Sequence, residues 1–79
     1  MDRPEFPHDL LEVQTAWYLT YGRLATAPTT QVAPYRRRLL ELSRRIADHP
    51  YWQTPQGTPA ARVALKEQAR AAAVRGRRP

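Results

Sequence analysis

Cysteine and long apolar runs are both absent from this 79-residue chain. Without cysteine, no disulfide and no thiolate metal site can support a small core, and the composition fits a reducing compartment. Without a long apolar run there is no membrane span, and the first five residues lack the basic and apolar regions of a secretory signal. We therefore expect a cytoplasmic protein that makes no membrane contact and depends on one small core.

Acidic residues are scarce: seven of them face thirteen lysines and arginines, which gives a net charge of +6. The imbalance is confined to residues 31–79, which carry eleven basic residues and three acids, whereas residues 1–30 carry four acids and two basic residues. Twelve of the basic residues are arginine, and this bias together with abundant alanine is typical of a GC-rich genome. The basic part of the chain predicts an acidic partner.

Motifs for catalysis or metal binding are missing as well. His8 and His49 are the only histidines, and neither has a second histidine or an acid pair at a metal-ligand spacing. Ser43 is the only serine, and no general base is within reach of it along the sequence. We expect a non-enzymatic protein with no catalytic residues, metal, cofactor or small-molecule substrate, in which His49 packs beside Tyr51 or Trp52.

Two helices are indicated by apolar residues that recur at steps of three and four. The first helix is predicted over about residues 7–25 and the second over about 31–49, with narrow apolar seams that suit an antiparallel hairpin. Trp17, Leu39 and Leu42 lie at the seam centres and should be among the most buried side chains. The full seams are Leu10, Val13, Trp17, Tyr21 and Leu24 in the first helix and Val32, Tyr35, Leu39, Leu42, Ile46 and His49 in the second.

Prolines and threonines define the expected helix boundaries. Pro7 is suited to the first turn of the first helix, where its missing N–H is not needed. Pro34 is tolerated only in a first turn, so the second helix should begin between residues 31 and 33, capped by Thr29 or Thr30. Pro50 should end it.

A third helix is predicted over about residues 59–74, with Thr58 as its N-cap. Its sequence is rich in alanine and offers few large apolar groups, namely Val63, Leu65 and Val74. Because isolated helices of this length are marginal in water, the helix either docks lightly through Leu65 and the alanines or remains frayed until a partner binds.

These elements predict an all-α fold: an antiparallel helical hairpin with a third, more loosely packed C-terminal helix. The pair Tyr51-Trp52 is too apolar for a solvated linker and should fold back over the open end of the hairpin. Residues 1–75 then form a single domain, and residues 76–79 form a disordered basic tail.

The first helix also carries a second apolar stripe formed by Leu11, Tyr18 and Leu19. One possibility is that the third helix and Tyr51-Trp52 pack on this stripe. The other is that it stays exposed and recruits a protein partner or a second copy of the chain. A homodimer would give this small core the size that it lacks alone.

Arginine clusters provide the second functional signal, because a nucleic-acid binder needs positive charge to displace counterions from phosphate. Acids interleaved on the second helix weaken the signal through the pairs Arg37–Glu41, Glu41–Arg45 and Arg44–Asp48. The candidate contacts are Arg36, Arg37, Arg38, Arg44, Arg45, Arg62, Lys66, Arg70, Arg75, Arg77 and Arg78.

Several short runs resemble a group of small uncharacterised actinobacterial helical proteins, some of which are associated with integrated mobile elements. The runs, all within residues 6–52, are Phe6-Pro7, Asp9-Leu10-Leu11, Thr20-Tyr21, Arg38-Leu39-Leu40-Glu41-Leu42-Ser43 and His49-Pro50-Tyr51-Trp52. The resemblance implies a bacterial, non-enzymatic accessory protein. We therefore expect protein–protein interaction through helical surfaces, with phosphate contacts to DNA or RNA as the alternative.

Overall fold

The computed structural model describes residues 5–76, which form three α-helices and one short 3-10 helix and contain no β-strand. Helix α1 spans His8–Ala25, α2 spans Thr29–Ala47 and α3 spans Pro59–Gly76, and the 3-10 helix spans Pro50–Gln53. Helix α1 packs against both α2 and α3. The predicted all-α fold of three helices is confirmed.

Helix α2 begins earlier than the prolines predict. Pro28 occupies the N-cap position, Thr29 is the first helical residue, and no side chain caps the helix, so the predicted threonine cap is wrong. Pro34 therefore falls in the second turn, where its ring removes the N–H that would bond to the carbonyl of Thr30. Thr30 is exposed, so water can reach that carbonyl, and the helix continues to Ala47.

One leucine from each helix is fully buried: Leu10 of α1, Leu42 of α2 and Leu65 of α3. The prediction for Leu42 is confirmed, but Trp17 and Leu39 are only half-buried. For Leu39 the reason is that α2 packs mainly on one neighbour, and for Trp17 it is that α1 has neighbours on two sides. Its buried face therefore includes Gln14, beside the predicted seam, and the side chain of Trp17 lies at the edge of the contact with α2.

Helix α3 docks on α1 through small side chains. Its buried residues recur every four positions, whereas Val63 and Val74, two of its three large apolar residues, are more than half exposed. Of the two alternatives that the sequence leaves open, the structure shows docking through Leu65 and the alanines, whose small size lets two helices approach closely. The buried row is Ala61, Leu65, Ala69 and Ala73.

The ends of α3 agree closely with the sequence. Thr58 accepts a hydrogen bond from the backbone N–H of Ala61 through its hydroxyl oxygen at 3.1 Å, which confirms it as the cap. The helix ends at Gly76, two residues later than expected. The rest of the predicted disordered tail, residues 77–79, lies outside the described residues.

The segment between α2 and α3 folds back on the hairpin, as predicted. The indole N–H of Trp52 donates to the carbonyl of Ile46 at 2.6 Å, and the ring of Tyr51 meets that of Phe6 edge-on at 5.4 Å. A Cβ at Gly57 would lie 2.6 Å from the backbone of both Tyr51 and Trp52. Only glycine allows the chain to pass so close to the 3-10 helix before it enters α3.

His49 joins the end of α2 to the first turn of α1. Its Nε2 lies 3.0 Å from Oδ2 of Asp9, and its Nδ1 accepts the backbone N–H of Tyr51 at 3.1 Å. The hydrogen bond from His49 holds the pKa of the Asp9 carboxyl below its usual value. His49 therefore has a structural role beside Tyr51, as the sequence predicts.

Replacing the buried leucine of α2 should destabilise the fold strongly. Leu42→Ala should lower the free energy of unfolding by about 2–5 kcal/mol, because it removes apolar contacts and leaves a cavity. Leu40→Ala is the matched control, since Leu40 lies on the same helix with 53% of its surface exposed. We expect the control to change stability by less than about 0.5 kcal/mol in urea denaturation. Equal losses in the two variants would show that α2 packs through another face.

The Asp9–His49 contact should make stability depend on acid pH. Because the pKa of Asp9 is lowered in the folded state, its contribution is fully present above the ordinary value of 3.8 and is lost as the pH falls through the lowered value. Asp9→Asn should therefore lower the melting temperature at pH 6, and the gap to the parent should close below about pH 3. In a His49→Gln background the gap should be smaller, because the backbone hydrogen bonds of Asp9 and Leu10 still favour the carboxylate. A gap that is constant with pH would exclude the hydrogen bond between His49 and the Asp9 carboxylate.

Candidate functional site

An open groove of about 830 Å³ runs along α1 between the C-terminal part of α2 and α3. It exists because α2 and α3 both pack on α1, and their contacts with each other are few or none. The α1 side is formed by Gln14, Trp17, Tyr18, Tyr21 and Gly22, the α2 side by Ser43, Ile46 and Ala47, and the α3 side by Arg62, Lys66, Arg70, Ala73 and Val74.

Aromatic rings form the floor of the groove. The indole ring of Trp17 stacks on the ring of Tyr21, with centroids 5.3 Å apart and planes 8° from parallel, and meets Tyr18 edge-on. The Trp17 N–H donates to the hydroxyl oxygen of Ser43 at 3.0 Å, which fixes the indole ring against α2. Tyr21 is 56% exposed, so the stacked pair presents a large apolar surface to the groove.

Basic side chains form the α3 wall. Arg62, Lys66 and Arg70 are spaced four residues apart, so they lie on one side of the helix next to the buried alanine row. Aromatic rings hold both guanidinium groups: Arg62 lies 4.6 Å from the centroid of Trp52, and Arg70 lies 5.4 Å from that of Tyr18. The two guanidinium groups are therefore positioned by contacts of the fold itself.

The lining is positively charged and amphipathic. It contains three cations and no carboxylate, and aliphatic carbons of Ile46, Ala47, Ala73 and Val74 lie beside the aromatic floor. Such a surface favours a ligand that combines negative charge with an apolar side.

Each histidine of the described segment lies beside one acidic residue. His8 lies 2.9 Å from Glu12 and His49 lies 3.0 Å from Asp9, and no three such side chains between residues 5 and 76 are grouped as metal ligands would be. None of the helices in this part of the chain combines the length and the apolar character needed to cross a membrane.

The second apolar stripe of α1 is half-buried at all three of its residues, Leu11, Tyr18 and Leu19. Tyr18 lines the groove beneath Arg70, a residue of α3. Part of the candidate partner surface therefore lies in the groove, where α3 has brought basic groups to it.

The candidate nucleic-acid contacts fall into two separate groups. Three of them line the groove from α3, and five are exposed on α2, namely Arg36, Arg37, Arg38, Arg44 and Arg45. Arg75 is exposed near the end of α3, and Arg77 and Arg78 lie outside the described residues. On α2, Glu41 binds Arg38 at 3.4 Å and Arg45 at 3.1 Å, so the predicted pair with Arg37 is wrong.

The sequence did not lead us to predict that the aromatic floor and the basic wall line the same groove. Trp17 and Tyr21 were assigned to the seam with α2, and the α3 cations were assigned to a general basic surface. One signal for the groove was present: the cations at positions 62, 66 and 70 each directly follow a residue of the row at 61, 65 and 69, so they border the docked side of α3.

Comparison with known proteins gives a family but no activity. Neither a search of curated proteins nor a search of solved structures finds a match to the chain. A family model described as a domain of unknown function, DUF8825, matches residues 9–68, which include α1, α2 and the first half of α3. With that match covering most of its length, the chain belongs to the DUF8825 family.

Proposed function

We propose that this protein is a non-enzymatic accessory protein that binds an acidic amphipathic helix of another protein in the groove. The observation that carries the proposal is the row of three cations, Arg62, Lys66 and Arg70, beside an aromatic and aliphatic floor with no carboxylate in the lining. The family match assigns no activity, and the resemblance to small actinobacterial helical proteins, some of which are associated with integrated mobile elements, stays a prediction.

The dimensions of the groove suit a helix. Residues four apart on an α-helix are about 6 Å apart along its axis, so the three cations of α3 match carboxylates at positions i, i+4 and i+8 of a helix lying alongside. A helix in this place would convert three helices into a four-helix bundle.

Peptide recognition also fits the way in which the rings are arranged. Trp17 and Tyr21 each have one face occupied by the other, and guanidinium groups lie over the rings of Tyr18 and Trp52. Few ring faces are left for stacking by the bases of a single strand. Aliphatic groups of the lining, such as Ile46, instead suit the leucines of an amphipathic helix.

A designed peptide tests the proposal directly. The probe is a fluorescein-labelled helical peptide of about five turns with a leucine stripe flanked by a row of glutamates spaced four apart. We expect binding by fluorescence anisotropy, and we expect a peptide with glutamine in place of glutamate to bind about 10–100-fold more weakly, because three ion pairs are lost. Equal binding of the two peptides would contradict the proposal.

Charge-matched variants locate the site. The triple variant Arg62→Gln, Lys66→Gln and Arg70→Gln should weaken peptide binding by about 10–100-fold. A control that removes three charges from the exposed side of α2, with Arg36, Arg37 and Arg44 each changed to Gln, should bind the peptide about as well as the parent. Loss of binding in both triples would show attraction to net charge alone.

Dimerisation of the parent in light scattering, abolished in the groove variant, would identify a second copy as the occupant instead.

A further inference from the structure

One exposed side of α2 forms a separate basic surface. At 100° per residue, Arg36, Arg37, Leu40 and Arg44 lie within one sector of the helix, opposite the buried Leu42. We call these four residues the α2 outer face. All four are exposed, with Leu40 53% accessible, and none lines the groove.

The ion pairs of α2 do not neutralise the positive charge of this face. Glu41 is the only acid within α2, and its Oε1 binds Arg38 and Arg45, which lie on the flank of the helix. None of the three arginines of the α2 outer face forms an ion pair with a described residue. Asp48 follows one turn after Arg44 but forms no salt bridge with it. The carboxylate of Glu41 is thus engaged on the flank, and the outer face keeps three positive charges.

We infer that the α2 outer face binds the phosphate backbone of a nucleic-acid duplex, independently of the groove. Guanidinium groups form bidentate hydrogen bonds with phosphate oxygens, and three of them on one exposed surface supply the charge that releases counterions. Arg36 and Arg44 are about 12 Å apart along the helix axis, which is about the width of the major groove of B-DNA. The two ends of the face can therefore reach phosphates on both edges of that groove.

A duplex fits this face better than a membrane does. A helix that lies on a membrane buries a broad apolar side in the lipid, with basic residues on the opposite side. The apolar side of α2 is packed on α1, and Leu40 is the only large apolar side chain among the arginines of the outer face. Contacts through arginine to phosphate alone position a protein on a duplex without reading its sequence.

Binding to a labelled 25-base-pair DNA duplex, measured by anisotropy over a range of salt concentrations, tests the inference. Three phosphate contacts contribute a slope of about 2.7 in the logarithmic salt plot. Between about 50 and about 200 mM salt, the parent should therefore lose about 40-fold more affinity than a variant with Arg36, Arg37 and Arg44 changed to Gln. Replacing these exposed residues should leave the circular dichroism spectrum and the melting temperature unchanged.

The groove triple variant at Arg62, Lys66 and Arg70 is the matched control, because it removes the same charge. It should keep most of the duplex affinity and the steep salt slope while it loses the acidic peptide, and the α2 variant should do the reverse. Equal loss of duplex binding in both variants, or no duplex binding by the parent at low salt, would overturn the inference. Binding to phosphatidylserine vesicles without binding to the duplex would also overturn it and would identify a lipid surface instead. Failure of the peptide experiment alone would leave this inference standing.

Discussion

Close packing of α3 on α1 through small side chains is the contact on which the rest of the structure depends. Ala61, Ala69 and Ala73 have little surface to bury, so this interface gains less from the hydrophobic effect than a leucine seam would. Small side chains instead allow two helices to approach closely. Docking through this row places Arg70 over the ring of Tyr18 in α1 and sets Arg62, Lys66 and Arg70 along one wall of the groove.

Two further contacts set the direction in which α3 enters. Trp52 is fixed to the end of α2 by its hydrogen bond to Ile46, and Gly57 passes against the backbone of the 3-10 helix where a side chain would clash. Arg62, in the first turn of α3, then lies over the Trp52 ring. The loop that precedes α3 therefore fixes the start of the helix. It also fixes the position of Arg62, which is the N-terminal end of the basic wall.

The sequence was sufficient to predict the three helices, the hairpin, the role of Leu42 and the cap at Thr58, because periodicity and capping are local properties. It was not sufficient where two helices, α2 and α3, pack on the same helix, α1. Trp17 is half-buried because α1 divides its buried face between two neighbours, and Leu39 is half-buried because α2 packs mainly on one helix; neither tertiary fact is contained in the pattern of one helix. Likewise, Glu41 forms its ion pair with Arg38 and not with Arg37. Which of the two arginines it binds depends on side-chain geometry as well as on spacing in the sequence.

The positive charges of the chain are divided between two surfaces with different surroundings. Those of α3 border an apolar groove, and those of the α2 outer face lie on an open helix surface with one leucine among them. A protein that binds an acidic helix at one surface and phosphates at the other would link a protein partner to a nucleic acid. This proposed arrangement requires α3 to be docked on α1 before any partner arrives.

Hydrogen exchange of the free protein tests that requirement most directly. If α3 is docked through its alanine row, the amides of residues 65–73 exchange within about tenfold of the rates in the centre of α1, since both open in the same unfolding event. Exchange of these α3 amides at the rate of an unfolded chain, with α1 and α2 still protected, would show that α3 is frayed in the free protein. The groove would then not exist before binding, which would contradict a preformed site for an acidic helix.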